Sequence, residues 1–125
     1  MGSEMCIRDR ADFIGYWGNT EWAALGESMR AALLKLAPQI ARETFAVAHD
    51  STLPDLYKKM DMPVLLLQGA DTVAPAVAVI NRLQALLQHA EVHRIPNVSH
   101  MGPVRQPDVF ASLINEFVER HTDVA

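Results

Sequence analysis

Pro63-Val-Leu-Leu-Leu-Gln-Gly69, followed after a helical stretch by Glu91-Val-His-Arg-Ile95, decides the fold. The first is a short continuous apolar run closed by a glycine, the pattern of a strand covered on both faces. The second is more polar, as expected nearer a sheet edge. Between them Pro75 opens a helix carrying Val79, Ile80, Leu83, Leu86 and Leu87. After them, Pro96 to Pro107 reads as a loop, and Val109, Leu113, Ile114, Phe117 and Val118 mark a closing amphipathic helix. Strand, helix, strand, helix with short links implies a parallel pair joined by a right-handed crossover. The fold class is therefore α/β, a helical segment followed by a β-α-β-α unit. A parallel sheet is usually wider than two strands and covered on both faces, so this unit reads as the end of a larger sheet. The unpaired strand edge is a candidate for self-association.

Upstream the sequence is helical. Phe13, Tyr16 and Trp17 stand at i, i+3 and i+4 and share a face. Asn19-Thr-Glu-Trp22 offers capping residues for the next run. Met29, Leu33, Leu36 and Ile40 also recur at helical spacing, with Pro38 expected to break or restart that helix. Thr52-Leu-Pro-Asp-Leu-Tyr57 caps one more short helix. The chain divides into a non-native leader over 1–10, which lacks either periodicity, a helical segment over 11–60 and a β-α-β-α part over 61–125.

Composition excludes several classes. The chain has 125 residues, half of them apolar, with 11 basic and 15 acidic residues and a net charge of −4. No basic footprint for nucleic acid exists in such a balance. The longest apolar run, Val64 to Leu67, is far too short for a bilayer, and no secretory leader is visible. A lone cysteine, Cys6, forms no internal disulfide, so a reducing, cytoplasmic setting is expected. His89 and His93 are spaced like a metal pair, but the helix is expected to end between them and no third ligand follows; neither a metal nor a cofactor is expected. Trp17, Trp22 and Met29 read as core or as the lining of an apolar pocket.

Parallel strands present their C-terminal ends at one sheet edge, where open α/β sheets carry their sites. The two loops there are Gly69-Ala-Asp-Thr-Val-Ala-Pro75 and Pro96-Asn-Val-Ser-His-Met-Gly-Pro103. Asp71 and His100 should share that rim, and a carboxylate beside an imidazole fixes its tautomer and stabilises the imidazolium of a general base. Asp71 has a second reading as the cap of the helix near Pro75, and His100 as a turn histidine bonded to backbone.

From Met62 to Phe117 the chain resembles the C-terminal end of an α/β-hydrolase: "PVLLLQG", an acid and a proline before a helix, then a strand, "IPNVSHMGP" and "QPDVFASLINEFV". The segment from Ala11 to Lys59, with "DFIGYWG" and "EWAAL", resembles the helical cap of many members. The resemblance implies His100 as catalytic base, Asp71 as acid, and a small apolar or ester-like substrate cleaved through a serine nucleophile. In that family the acid commonly stands three residues after the strand-ending glycine; Asp71 stands two after Gly69. Some members take it from the strand before the cap. None of Ser3, Ser28, Ser51, Ser99 or Ser112 lies in a G-x-S-x-G elbow, so the chain by itself is expected to be inactive. A non-catalytic module that binds an apolar ligand or associates with itself is the alternative. A dinucleotide-binding half is disfavoured, since Gly69 is a lone glycine where G-x-G-x-x-G is needed.

Overall fold

A computed structural model describes residues 7–122. They form two compact units, one ending at Thr52 and the next beginning at Leu53. The division falls ahead of the expected boundary after Met60, because the 3-10 turn Pro54–Lys59 packs with the helix that follows the first strand. Residues 1–6 of the expected leader, Cys6 included, lie outside the described residues.

The first unit is helical. Helix α1 spans Ile7–Gly18, so helix already runs through the last part of the expected leader. Its face is aromatic: Phe13 and Trp17 lie 6.1 Å apart, and Tyr16 meets Trp17 edge-on at 5.6 Å. Asn19 takes a φ of 48°, and the Thr20 N–H reaches back to the Gly15 carbonyl at 3.3 Å. That is the left-handed stop of a helix C-terminus, so Asn19 ends α1 rather than starting its successor. A 3-10 turn, Trp22–Ala24, leads to helix α2, Glu27–Ala48.

Contrary to expectation, α2 continues without a break through Pro38. A proline removes one backbone donor and crowds the preceding turn, at about 3 kcal/mol. The flanking Ala31-Ala-Leu-Leu-Lys-Leu-Ala37 and Gln39-Ile-Ala-Arg-Glu43 are strong helix formers over several turns, and their summed propensity outweighs that loss. Pro38 itself is exposed, so its ring displaces no core side chain.

The second unit holds the sheet. Strand β1, Val64–Gly69, pairs in parallel with β2, Ala90–Ile95, with Val64 opposite Ala90 and Gly69 opposite Ile95. Helix α3, Ala74–Leu86, connects them. The expected loop after β2 contains one short helix, α4, Gly102–Arg105, before the closing helix α5, Pro107–Thr122.

Register and alternation assign the two faces. Leu65, Leu67, Glu91, His93 and Ile95 share one face. There Leu67 and Ile95 pack with Phe110 and Leu113 of α5, and Arg120 of α5 bonds the Glu91 carboxylate at 2.5 Å. Leu66, Gln68, Val92 and Arg94 share the other, where the Arg94 guanidinium donates to Asn81 and Gln84 of α3 at 3.1 and 3.4 Å. The sheet is therefore covered on both sides, as the apolar run in β1 requires. The α3 side carries one unmet demand: Gln68 is buried and its Oε1 accepts no hydrogen bond.

The core on the α5 side centres on Val98, 1% exposed, with Ile95 and Phe110. Val98 belongs to the loop after β2. The loop that carries His100 is thus anchored by the most buried side chain of its unit.

Candidate functional site

Two loops meet at the C-terminal edge of the sheet. Beyond β1, the Thr72 N–H donates to the Gly69 carbonyl at 3.2 Å, closing a four-residue turn over Gly69-Ala-Asp-Thr72. Beyond β2, Pro96 and Asn97 reverse the chain. Asn97 adopts a φ of 58°, and a proline followed by a residue of positive φ is the pairing type II turns favour. The chain then turns again where the Gly102 N–H meets the Ser99 carbonyl at 3.0 Å, with His100 and Met101 at the tip.

Backbone hydrogen bonds stitch the loops together. The Ala70 N–H donates to Ile95 O at 2.8 Å, and the Asp71 N–H to Val98 O at 2.9 Å. This approach is possible because residue 69 is glycine. A methyl group on its Cα would lie 2.7 Å from Ser99 O and 2.8 Å from the Val98 carbonyl carbon, with Val98 O closer still. Gly69 does not adopt a positive φ, so what the glycine supplies here is space. Gly102 makes a similar allowance inside the core, where a methyl would meet Val98 and the Phe110 ring, the latter at 2.8 Å.

Asp71 and His100 do reach the same rim, on loops bonded to each other, yet their side chains do not pair. His100 Nδ1 lies 3.3 Å from the Thr72 hydroxyl. The Asp71 carboxylate is exposed and makes no side-chain hydrogen bond or ion pair among the described residues. The turn explains the difference. Asp71 occupies its third position, at the solvent-facing tip, whereas Thr72 occupies the fourth, where the chain comes back over the strand end. Asp71 is not the cap of α3 either: the N-cap is Val73, and no side chain bonds the first turn.

The remaining candidates lie away from this rim. His93 sits in β2 with its Nε2 3.8 Å from Glu91, which Arg120 and, at 3.9 Å, His121 also approach. Among the described residues, no three His, Cys, Asp or Glu side chains are grouped as metal ligands. In the first unit an apolar cavity of about 280 Å³ lies between α1 and α2, lined chiefly by Phe13, Ile14, Ile40, Ala41, Phe45 and His49. Of the aromatic and methionine residues weighed as pocket lining, Trp17, Trp22 and Met29 are not among its walls. His49 among its walls stacks its ring on Phe45 at 3.8 Å, and its Nδ1 is bonded to the Phe45 carbonyl at 2.8 Å.

Sequence reasoning passed over Thr72. Its signal is the count of three from Gly69, the position that closes the turn. It also passed over Val98, which the loop composition hid because a buried anchor inside a Pro/Asn/Ser/Gly-rich segment has no periodicity. No helix among the described residues is long and apolar enough to cross a membrane. No family model matches the chain, and comparison with curated proteins and with solved structures finds no match.

Proposed function

We propose that this chain forms the C-terminal end of an α/β-hydrolase-like sheet and supplies the histidine base, His100, of a site that cleaves an ester or amide. What supports the reading is the meeting of the two post-strand loops, bonded through Asp71 N–H and Val98 O, with His100 carried above a fully buried anchor. A base on such a loop keeps its position while the rest of the site assembles around it. In this reading His100 takes the proton of a serine nucleophile as it attacks the carbonyl carbon, and returns it to the leaving alcohol or amine. The nucleophile belongs to a longer protein in which this chain is the later part. The carboxylate that stabilises the imidazolium is either Asp71 or one supplied by a strand preceding the helical segment. The substrate class is a small apolar or ester-like molecule, with no cofactor in the scheme.

The test is made on the longest open reading frame that contains this sequence. It should hold a G-x-S-x-G motif before Ala11, turn over activated esters, and lose roughly 10³–10⁴-fold or more of that turnover in His100→Ala. A reading frame without the motif refutes the proposal. So does ester turnover by the 125-residue chain alone that disappears on changing Ser99 or another of its own serines.

A second reading, a non-catalytic module for an apolar ligand, has its own support in the cavity between α1 and α2. Its size lies just below the usual range of small-molecule sites, and its walls are mostly apolar with one histidine, the usual composition of such sites. Saturable binding of an apolar fluorescent probe that Ala41→Phe abolishes, without any turnover, would favour it.

A further inference from the structure

In a built site, a partner on one imidazole nitrogen fixes the tautomer and ring orientation and so decides which nitrogen serves as the base. We propose that in this chain Thr72 is the positioning residue for His100, its hydroxyl oxygen accepting the Nδ1–H so that proton transfer runs through Nε2. The inference rests on the reading of His100 as a base, and it names a neutral group where a carboxylate was expected.

Three observations carry it. Thr72 Oγ1 stands 3.3 Å from His100 Nδ1, although the two residues are 28 apart in sequence. Thr72 is partly buried and its backbone is fixed by the bond to Gly69 O, so its hydroxyl is presented from a closed turn rather than from a mobile tip. The partner loop is equally fixed, through Val98 O on one side and the Ser99–Gly102 turn on the other. Threonine is also stiff at χ1, because two heavy atoms on Cβ restrict its rotamers, and this limits where the hydroxyl can go. A hydroxyl differs from a carboxylate in what it does for the ring. It orients the imidazole and, in the accepting role proposed here, holds the proton on Nδ1, but adds no negative charge to stabilise the imidazolium.

The experiment reads the tautomer directly, by two-bond ¹H–¹⁵N correlation spectra of the full chain labelled with ¹⁵N. The spectra are recorded at about pH 9, above the range in which imidazoles titrate. His100 is assigned by its loss in His100→Ala. Two other rings calibrate the spectrum. His49 and His121 each place Nδ1 2.8 Å from a carbonyl, of Phe45 and Phe117, and a carbonyl only accepts, so both carry the proton on Nδ1.

In the unsubstituted chain His100 Nδ1 should show the protonated pattern of His49 and His121. Thr72→Val, which keeps the shape and removes the hydroxyl, should lower the ratio of the Nδ1–H to the Nε2–H form by roughly 2–10-fold, the range of one net hydrogen bond. Thr72→Ser should restore it. An Nε2–H tautomer in the unsubstituted chain, or the same ratio in all three proteins, overturns the proposal. Reading the tautomer of the unsubstituted chain requires neither Thr72 variant to fold, and none of these outcomes depends on turnover. A Thr72-dependent tautomer in a reading frame without the G-x-S-x-G motif would leave the positioning role standing while the hydrolase reading fails. The converse result would separate them the other way.

Discussion

Gly69→Ala should break the junction of the two loops. The added methyl would stand 2.7 Å from Ser99 O and closer to Val98 O, whereas real Cβ atoms do not come within about 3.0 Å of such neighbours. The obstacle is backbone, so no side-chain rotation relieves it. Val98 is 1% exposed and packed on Ile95 and Phe110, which ties its carbonyl to the core. Retreat of the loop by several tenths of an ångström stretches the 2.9 Å bond from Asp71 N–H to Val98 O beyond the range of a good N–H···O bond. Overpacking of this kind costs about 1–3 kcal/mol, and a weakened hydrogen bond about 0.5–1.5 kcal/mol. Alanine gives back about 0.4–1 kcal/mol by restricting the unfolded chain. The expected net loss is about 0.5–4 kcal/mol, confined to the second unit. Amide hydrogen exchange at Leu66 and Leu67 in β1 measures it unit by unit, and the Asp71 amide should lose its protection first. Gly18→Ala serves as the control, because a methyl there meets nothing within 4 Å and should be neutral or slightly stabilising. A Gly69→Ala chain within about 0.5 kcal/mol of the original, with Asp71 still protected, would refute the close-approach reasoning.

Other outcomes follow from the same structure. Phe110→Ala removes a ring from the core around Val98 and should cost about 3–5 kcal/mol by hydrogen exchange in the strands. Gln68→Leu replaces a buried oxygen that has no partner with a carbon of similar volume, and should be neutral or raise the stability of the second unit by about 1 kcal/mol; a clear loss would mean that Oε1 is satisfied in solution. Pro38→Ala should stabilise α2 by as much as about 3 kcal/mol, seen as a higher melting temperature of the helical circular dichroism signal, and an unchanged melt would show that the helix bends to accommodate the ring. The Thr52 hydroxyl and then its backbone N–H hold the Asp50 carboxyl below its ordinary value, so this contact is fully present above the ordinary carboxylate value and is lost as pH falls through the lowered one; a carbon-detected titration should move up in Thr52→Val. Sedimentation of the chain at rising concentration should show self-association through the strand edges, since the sheet has two strands among the described residues, and a concentration-independent monomer would remove that expectation.

Much of the second unit was legible from local pattern. An apolar run ended by glycine, a proline-led amphipathic stretch and a second strand define β1, α3 and β2 within a residue or so, because strand and helix periodicity are properties of neighbouring side chains. The loop holding His100 was legible for the same reason: Pro96, Asn97 and Gly102 punctuate it, and parallel strands send both loops to one edge. Local pattern failed where two segments act on each other. Pro38 signals a break, and the propensity of the turns on either side outweighed it. Asn19 signals a helix start, and its left-handed backbone makes it a stop.

The choice of Thr72 over Asp71 as the side chain beside His100 belongs to tertiary structure alone. Sequence chemistry favours the carboxylate, since charge suits a histidine better than a hydroxyl does. Which side chain faces the ring, however, is set by the phase of a four-residue turn, and by how closely the second loop descends on Gly69. That descent is driven by burial of Val98, ahead of the histidine it carries and far in sequence from the turn it meets. A contact 28 residues apart, decided by a few tenths of an ångström of clearance above one glycine, has no local signature, because its energy is shared between two segments that only the folded core brings together.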